Sequence, residues 1–495
     1  MRVGFDHELY TRTQSEKILE RIRQFGGKLY LELGGKLFDD NHAARVLPGF
    51  LPDSKISMLR SLSDQTEIVV AISADDIAQN KSRGDLGITY DQDVLRLIDA
   101  FRAVDMLVES VVITQWKAQP QAVSFRKRLR SQGIRVYIHY PIAGYPTDIA
   151  LVVSDKGYGK NEYIETSRPL VLVTAPGPGS GKMAVCMSQL YQDHQRGIKA
   201  GFAKFETFPI WNLPLKHPVN IAYEAATVDL GDVNMIDPFH MEAYGELAVN
   251  YNRDIEMFPI LSAIFQRIWG DMPYKSPTDM GVNMVGNCII DNDLVEHSAK
   301  QEVIRRLYTT LCDQRRGDAS EEEVNKLRLL MQQLNLSDED RPVIAAARKR
   351  ADATGNPAAA IELPSGAIIT GKTSSLLGAS SALLLNALKM LAGIPKNEEL
   401  IPPEVIGPIQ SLKLDYLGNN NPRLHTDEVL VALSITAASS KKAALAMSQL
   451  PLLKGCEVHT SVILSAVDEN IFRRLGVNLT CDPHYQSRKL YHRGR

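Results

Sequence analysis

Apolar and polar positions run through the first 175 residues in two alternating periods. In "SEKILERIRQF" the apolar residues fall three and four apart, which predicts an amphipathic helix, and the following "KLYLEL" predicts a strand. The same succession recurs in "ISMLRSL" before "EIVVAIS", "DVLRLIDAFRAV" before "SVVITQW", and "AVSFRKRLRSQG" before "RVYIHY", with Gly133 at the natural helix stop. "PLVLVTA" adds a further strand, "KMAVCMSQLYQDHQRG" a helix and "AGFAKFETFPI" another strand. Short apolar strands separated by amphipathic helices predict an α/β fold with a largely parallel sheet.

The period then changes. Residues from about 238 to 355 carry helical spacing, as in "DIEMFPILSAIFQRIWG", "SAKQEVIRRLYTTLCDQRRG" and "SEEEVNKLRLLMQQLN", and "RADATGNPAAA" reads as a boundary. Beyond it, "AAIELP" and "AIITGKT" flank "PSG" as a hairpin. A long apolar helix ("SSALLLNALKMLAG"), a Pro-rich loop, a helix near 426–449, strand "EVHTSVILS", helix "DENIFRRLG" and strand "VNLTCD" follow. We expect an α/β domain over 1–237, a mainly helical domain over 238–355 and a C-terminal α/β domain over 356–495. The last has the element order of a cytidine-deaminase-like layout, but lacks the HxE and PCxxC zinc motifs, so the likeness concerns layout and not chemistry.

Composition narrows the class. About three domains are expected of 495 residues at roughly 150 residues each. Apolar residues make up 44% and charged residues 23%, enough for a sizeable core, and the formal net charge of −2 provides no global attraction to nucleic acid or an anionic membrane. The N-terminus lacks the apolar core of a signal peptide, and no apolar stretch approaches 18 residues. Five scattered cysteines without a CxxC pair argue for reduced thiols in a cytoplasm and against a Cys-rich zinc site.

The sharpest chemical signal is "TAPGPGSGKM" at 174–183, a Gly-rich loop ending in Gly-Lys between an apolar strand and a helix. Such loops cradle phosphate with backbone N–H groups at a helix N-terminus. It resembles the adenylate-kinase form of the P-loop through Pro178, Gly179, Ser180, Gly181 and Lys182, with Gly177 at the variable place. Pro176 replaces the first Gly, and Met183 and Ala184 remove the hydroxyl that would ligate Mg²⁺ in a Walker-type loop. Gly177, Gly179, Ser180, Gly181, Lys182 and Met183 are therefore candidate binding residues for phosphate or a nucleotide; the competing reading is a structural strand–helix turn. The strict GxxxxGKT match at Gly366–Thr373 carries "AIIT" at its variable positions, an extended β-branched run that predicts a strand instead.

Weaker candidates surround it. Asp229, Asp232 and Asp237 suit either a metal-holding carboxylate or Asp-rich turns and caps. Lys204, Glu206, Lys216 and His217 in "KFETFPIWNLPLKHPVN" either line a pocket or pack a rigid loop. Gly34, Gly35 and Lys36, with Asp39, Asp40, His42 and Arg45, offer a second anion-binding turn. Asp85, Tyr145, Asp148, Lys160, Asn161 and Glu162 are further loop candidates. Asn420, Arg423, His425, Asp427 and Glu428 read either as acid–base chemistry or as a helix start capped by Thr426 or Asp427.

Taken together, "LYLELGGKLFDDNHAARVLPGF", "YGKNEYIETSRPLVLVTAPGPGSGKMA", "KFETFPIWNLPLKHPVN", "SPTDMGVNM" and "NNNPRLHTDEVL" resemble the bacterial family catalogued as domain of unknown function 1846, or uncharacterised protein family 0371. The resemblance covers essentially the whole chain and implies a cytoplasmic bacterial protein. It carries over no catalytic residue, and "TAPGPGSGKM" looks like the family's own form of the loop. The function expected is binding of a phosphorylated small molecule or nucleotide, with phosphoryl transfer as its concrete version. The alternative is a non-catalytic sensor or a homo-oligomeric scaffold, with neither nucleic acid nor membrane as partner.

Overall fold

A computed structural model describes residues 3–38, 40–83 and 86–486; Asp39 and Asp85 lie outside the described residues. The chain divides into two compact units that are discontinuous in sequence. The first combines the chain up to Glu224 with Asp232–Glu296, and the second combines Ala225–Gly231 with the chain from His297 on. The helical stretch 238–355 is thus shared between the units, the boundary falling within helix Asn292–Arg316.

The first unit is built on six parallel strands: β1 (Leu29–Leu33), β2 (Thr66–Ser73), β3 (Leu107–Thr114), β4 (Arg135–Ile138), β5 (Leu170–Thr174) and β6 (Gly201–Phe205). Their order across the sheet is β4-β3-β2-β5-β1-β6. Five helices matter for the site: α1 (His7–Gln24), α2 (Tyr90–Arg102), α3 (Pro120–Ser131), α4 (Lys182–Gln195) and α5 (Asn252–Trp269). Alternation along the strands sends side chains to two apolar layers. Leu29, Leu31 and Leu33 join Ile18, Val94, Phe101 and Phe125 from α1, α2 and α3. Tyr30, Val171 and Val173 join Val185, Leu190, Leu261 and Phe265 from α4 and α5 on the other face.

The strand order creates a topological switch. The chain steps from β1 past one position to β2, continues outward to β3 and β4, then returns to insert β5 between β2 and β1. Crevices outside the carboxyl ends of strands at such points are where open α/β sheets bind ligands. The loop after β5 emerges at this place.

The second unit has a four-stranded sheet of β7 (Ala358–Glu362), β8 (Ile368–Lys372), β9 (Glu457–Thr460) and β10 (Asn478–Cys481), ordered β8-β7-β9-β10. β7 runs antiparallel to both neighbours, and β9 is parallel to β10. The strict GxxxxGKT match lies in the hairpin: Gly366 adopts φ 80° in the turn, and Ile368–Lys372 is β8. The single helix expected over 426–449 is two, Thr426–Ala437 and Lys441–Met447. Ser440 caps the second by accepting from the Ala443 amide at 3.3 Å, which breaks the helical run at Ala438–Ser440. Among the described residues no helix is long and apolar enough to cross a membrane.

Candidate functional site

The segment from Ala175 to Gly181 turns directly from β5 into α4. Gly179 and Gly181 hold φ of 79° and 83°, a left-handed conformation that glycine adopts without the steric cost other residues meet. Gly181 is the N-cap of the 14-residue α4. A Cβ on Gly177 would run into the Tyr90 hydroxyl, so a larger residue there would have to displace the Tyr90 ring. The Ser180 hydroxyl is buried and donates to the Gly177 carbonyl at 2.9 Å, while the Ser180 carbonyl accepts from Thr114 Oγ1 at 2.8 Å. These bonds tie the loop to β3. At the other end of α4, buried Asp193 accepts from Lys28, Tyr30 and Tyr163 at 2.9, 2.8 and 2.6 Å. The helix is pinned at both ends, so its N-terminus is held in place before any ligand arrives.

None of the amides from Gly179 to Ala184 donates a hydrogen bond to a protein acceptor among the described residues. A helix N-terminus leaves such donors unsatisfied by construction, and here the preceding loop adds more of them. The half-buried Lys182 makes no ion pair among the described residues, whereas Met183 packs its side chain into the α4 and α5 layer. Of the six residues expected from sequence, Gly179, Ser180, Gly181, Lys182 and Met183 therefore offer amide donors, Gly177 and the Ser180 hydroxyl shape the turn, and the Met183 side chain is structural.

A cavity of about 200 Å³ opens beside the loop, lined by Gly181 and Ala184 together with Thr114 from β3 and with His139, Tyr145 and Asn161. Asn161 is locked in place: its Oδ1 accepts from the Tyr140 amide at 2.9 Å and its Nδ2 donates to Ser188 Oγ at 3.1 Å. Burial pushes the His139 imidazole down to about 4 against a hydrogen bond to the Glu162 carbonyl, so it is neutral at physiological pH. The Tyr145 phenol is raised to about 12 by burial and then by the charge of Glu32, and remains protonated.

Glu32 sits near the carboxyl end of β1, in register with Lys204 of β6 and Val173 of β5. Lys204 bonds Tyr251 at 3.1 Å and pairs with Asp254, and Glu206 lies 3.8 Å away and accepts from Tyr251 at 3.1 Å. Burial opposes the Lys204 charge, but Asp254, Glu206 and Glu32 together raise its pKa. Burial raises Glu206 to about 7, opposed by Lys204 and reinforced by Asp254 and Glu32. Glu32 is likewise raised by burial and lowered by Lys204 and Lys182, and its Oε2 is sealed from solvent without a hydrogen-bond partner among the described residues. Gly34 carries no side chain where the Glu206 carboxylate crosses it.

The remaining candidates disperse. Asp237 caps helix Pro238–Tyr244 and accepts from Thr278, and Asp232 is buried against Arg253 and Tyr223, so neither approaches the role of a metal ligand at the loop. Asp229 belongs to the second unit. His217 faces Asn292 at 3.1 Å, Asp40 pairs with Lys55 at 2.8 Å, and Asp148 caps Ile149–Val152. Lys160 lies over the Tyr140 ring at 4.9 Å, and Glu162 accepts from the Ile138 amide at 2.8 Å. In the second unit the cap of Thr426–Ala437 is His425, neither Thr426 nor Asp427; Glu428 accepts from its amide at 2.8 Å and Asp468 faces its Nδ1 at 3.1 Å. Among the described residues no group of three or more His, Cys, Asp or Glu is placed to hold a metal.

Sequence reasoning missed Glu32 and His139. Glu32 is the one charged residue in an otherwise apolar strand, a signal that was present; His139, at the end of a strand, is the kind of position a core histidine also takes.

The family model described as domain of unknown function DUF1846, N-terminal, matches residues 3–335, and its C-terminal counterpart matches residues 339–491. A UPF0371 protein of Streptococcus thermophilus (strain CNRZ 1066) is 58% identical over 488 residues, covering 99% of each chain. Another, from Streptococcus pyogenes serotype M5 (strain Manfredo), is 57% identical over 489 residues with the same coverage.

Proposed function

The chain belongs to the DUF1846 family, also named UPF0371, and from that starting point we propose that it binds the phosphate of a small phosphorylated molecule or nucleotide at Gly177–Met183. One observation carries the reading: the unbroken run of undonated amides from Gly179 to Ala184 at the start of α4, at the carboxyl end of a central parallel strand. Converging N–H groups and the positive end of a helix favour an anion, by ~0.3–1 kcal/mol when exposed and up to ~2 kcal/mol when partly buried. Lys182 adds a full charge without a competing ion pair among the described residues. The likeness to a P-loop rests on the strand–loop–helix arrangement alone. With the Met183 side chain in the apolar layer and the Ser180 hydroxyl turned inward, the loop supplies no hydroxyl of its own to Mg²⁺. That favours holding a phosphate over turning over a metal–triphosphate, and keeps a non-catalytic sensor as the second reading.

The four-strand order of the second unit supports a cytidine-deaminase-like layout there, without the HxE and PCxxC motifs of that family's zinc chemistry.

Thermal shift against inorganic phosphate, sugar phosphates and nucleotides tests the site. A compound present at 100 times its dissociation constant stabilises wild type by about 2.7 kcal/mol, and Lys182→Ala weakens that response. A wild type indifferent to every phosphate compound, or a Lys182→Ala variant shifted equally, rules the reading out. Binding without phosphate release or transfer in the presence of Mg²⁺ favours the sensor.

A further inference from the structure

The cavity beside the loop has features that discriminate among phosphorylated ligands. Its volume of about 200 Å³ is below the roughly 300–1,000 Å³ of pockets that enclose drug-sized molecules. A phosphate ester of a few carbons fits within it, while a nucleoside triphosphate would extend beyond it into solvent.

His139 lines this cavity and is only 3% exposed. Its Nε2 lies 3.1 Å from the Glu162 carbonyl oxygen; a carbonyl only accepts, so Nε2 carries the proton. Nδ1 is then a lone-pair acceptor, and it accepts no hydrogen bond from protein among the described residues. A ligand hydroxyl donating there takes the place of the solvent that otherwise meets this acceptor in the cavity. The Tyr145 hydroxyl, on the same cavity, is a phenol able to donate. A cationic donor is disfavoured, since Glu32, whose charge reaches Tyr145, already lies in the field of both Lys182 and Lys204, and the Glu162 carboxylate is engaged by the Ile138 amide. A neutral hydroxyl meets His139 without bringing a further positive charge to that place.

We propose that the cavity takes a small hydroxylated phosphate monoester of the polyol-phosphate or sugar-phosphate class, its phosphate on the Gly179–Ala184 amides and a hydroxyl donating to His139 Nδ1. The inference rests on the phosphate reading above and adds to it the identity of the ligand's other end. His139 acts here as a specificity-determining acceptor, and Tyr145 as its donor counterpart.

Titration calorimetry on the full chain with a matched pair of probes separates the two claims. Glycerol 3-phosphate and propyl phosphate share a three-carbon skeleton and a phosphate, and differ only in hydroxyls. Wild type binds glycerol 3-phosphate about tenfold more tightly, the worth of one well-placed buried hydrogen bond. His139→Phe abolishes that preference and leaves affinity for inorganic phosphate unchanged, whereas Lys182→Ala weakens all three probes. Tyr145→Phe, at a residue 37% exposed, reduces the preference severalfold and serves where His139→Phe does not fold. Equal binding of the two esters by wild type overturns the inference while leaving the phosphate site standing. Tighter binding of ATP than of glycerol 3-phosphate overturns it on size. Binding of none of these probes removes the phosphate reading and this inference with it.

Discussion

Glu206 lies one residue beyond the end of β6, and its burial beside Asp254 and Glu32 lifts its carboxyl to about 7 from an ordinary 4.5. The folded state therefore holds a proton that the unfolded chain releases at lower pH. Between those values the unfolded state binds fewer protons, so this group's contribution makes stability fall as pH rises from about 4.5 to 7. Glu206→Gln removes that slope: denaturant unfolding at pH 5 and pH 8 should show the variant gaining on wild type at the higher pH. An unchanged difference between the two pH values refutes the assignment. The Gly-rich loop was legible at this scale because glycine, proline and lysine carry local conformational and charge signals that need no partner. Glu32 and Glu206 were not legible as a pair, because their mutual effect depends on β1 and β6 lying side by side.

At the scale of elements, helix Pro342–Thr354 enters the second unit through Arg341, a side chain 1% exposed. Its guanidinium donates to Thr480 Oγ1 at 3.2 Å and to the Asn478 and Val458 carbonyls at 2.7 and 3.3 Å, and pairs with Glu457. It thereby joins the start of the helix to β9 and β10. Arg341→Leu leaves those acceptors and Glu457 without their donor and should cost about 3 kcal/mol in chemical denaturation. A loss below about 1 kcal/mol means that water replaces the guanidinium at those carbonyls. Sequence periodicity located the sheet strands and most of the longer helices, from "KLYLEL" to "VNLTCD". The stretch expected as a Pro-rich loop, however, holds the helix Pro403–Ser411, because proline at the first helical position gives up no hydrogen bond there. Periodicity also failed at Ala438–Ser440, where small residues compatible with a helix continue the pattern but Ser440 offers the backbone a cap instead. The GxxxxGKT match shows the converse: the letters of a phosphate loop in a hairpin, because β-branched residues between the glycines extend the chain.

For the whole molecule, the two units and their separate cores lead us to expect two calorimetric transitions. Arg341→Leu should lower one of them, and Glu206→Gln should move the other in a pH-dependent way. A single transition shifted by both substitutions would show that the chain unfolds as one cooperative body. By itself the sequence determined the strand–helix alternation, the glycine-rich turn before α4 and the C-terminal hairpin, since each follows from periods and preferences spanning a few residues. Tertiary structure alone decided the order β4-β3-β2-β5-β1-β6. That order fastens Ser180 to Thr114, places His139 and Tyr145 on one cavity with Gly181, and sets Glu32 against Lys204. Sheet pairing joins segments far apart in the chain, and no local pattern records which strand will lie beside which.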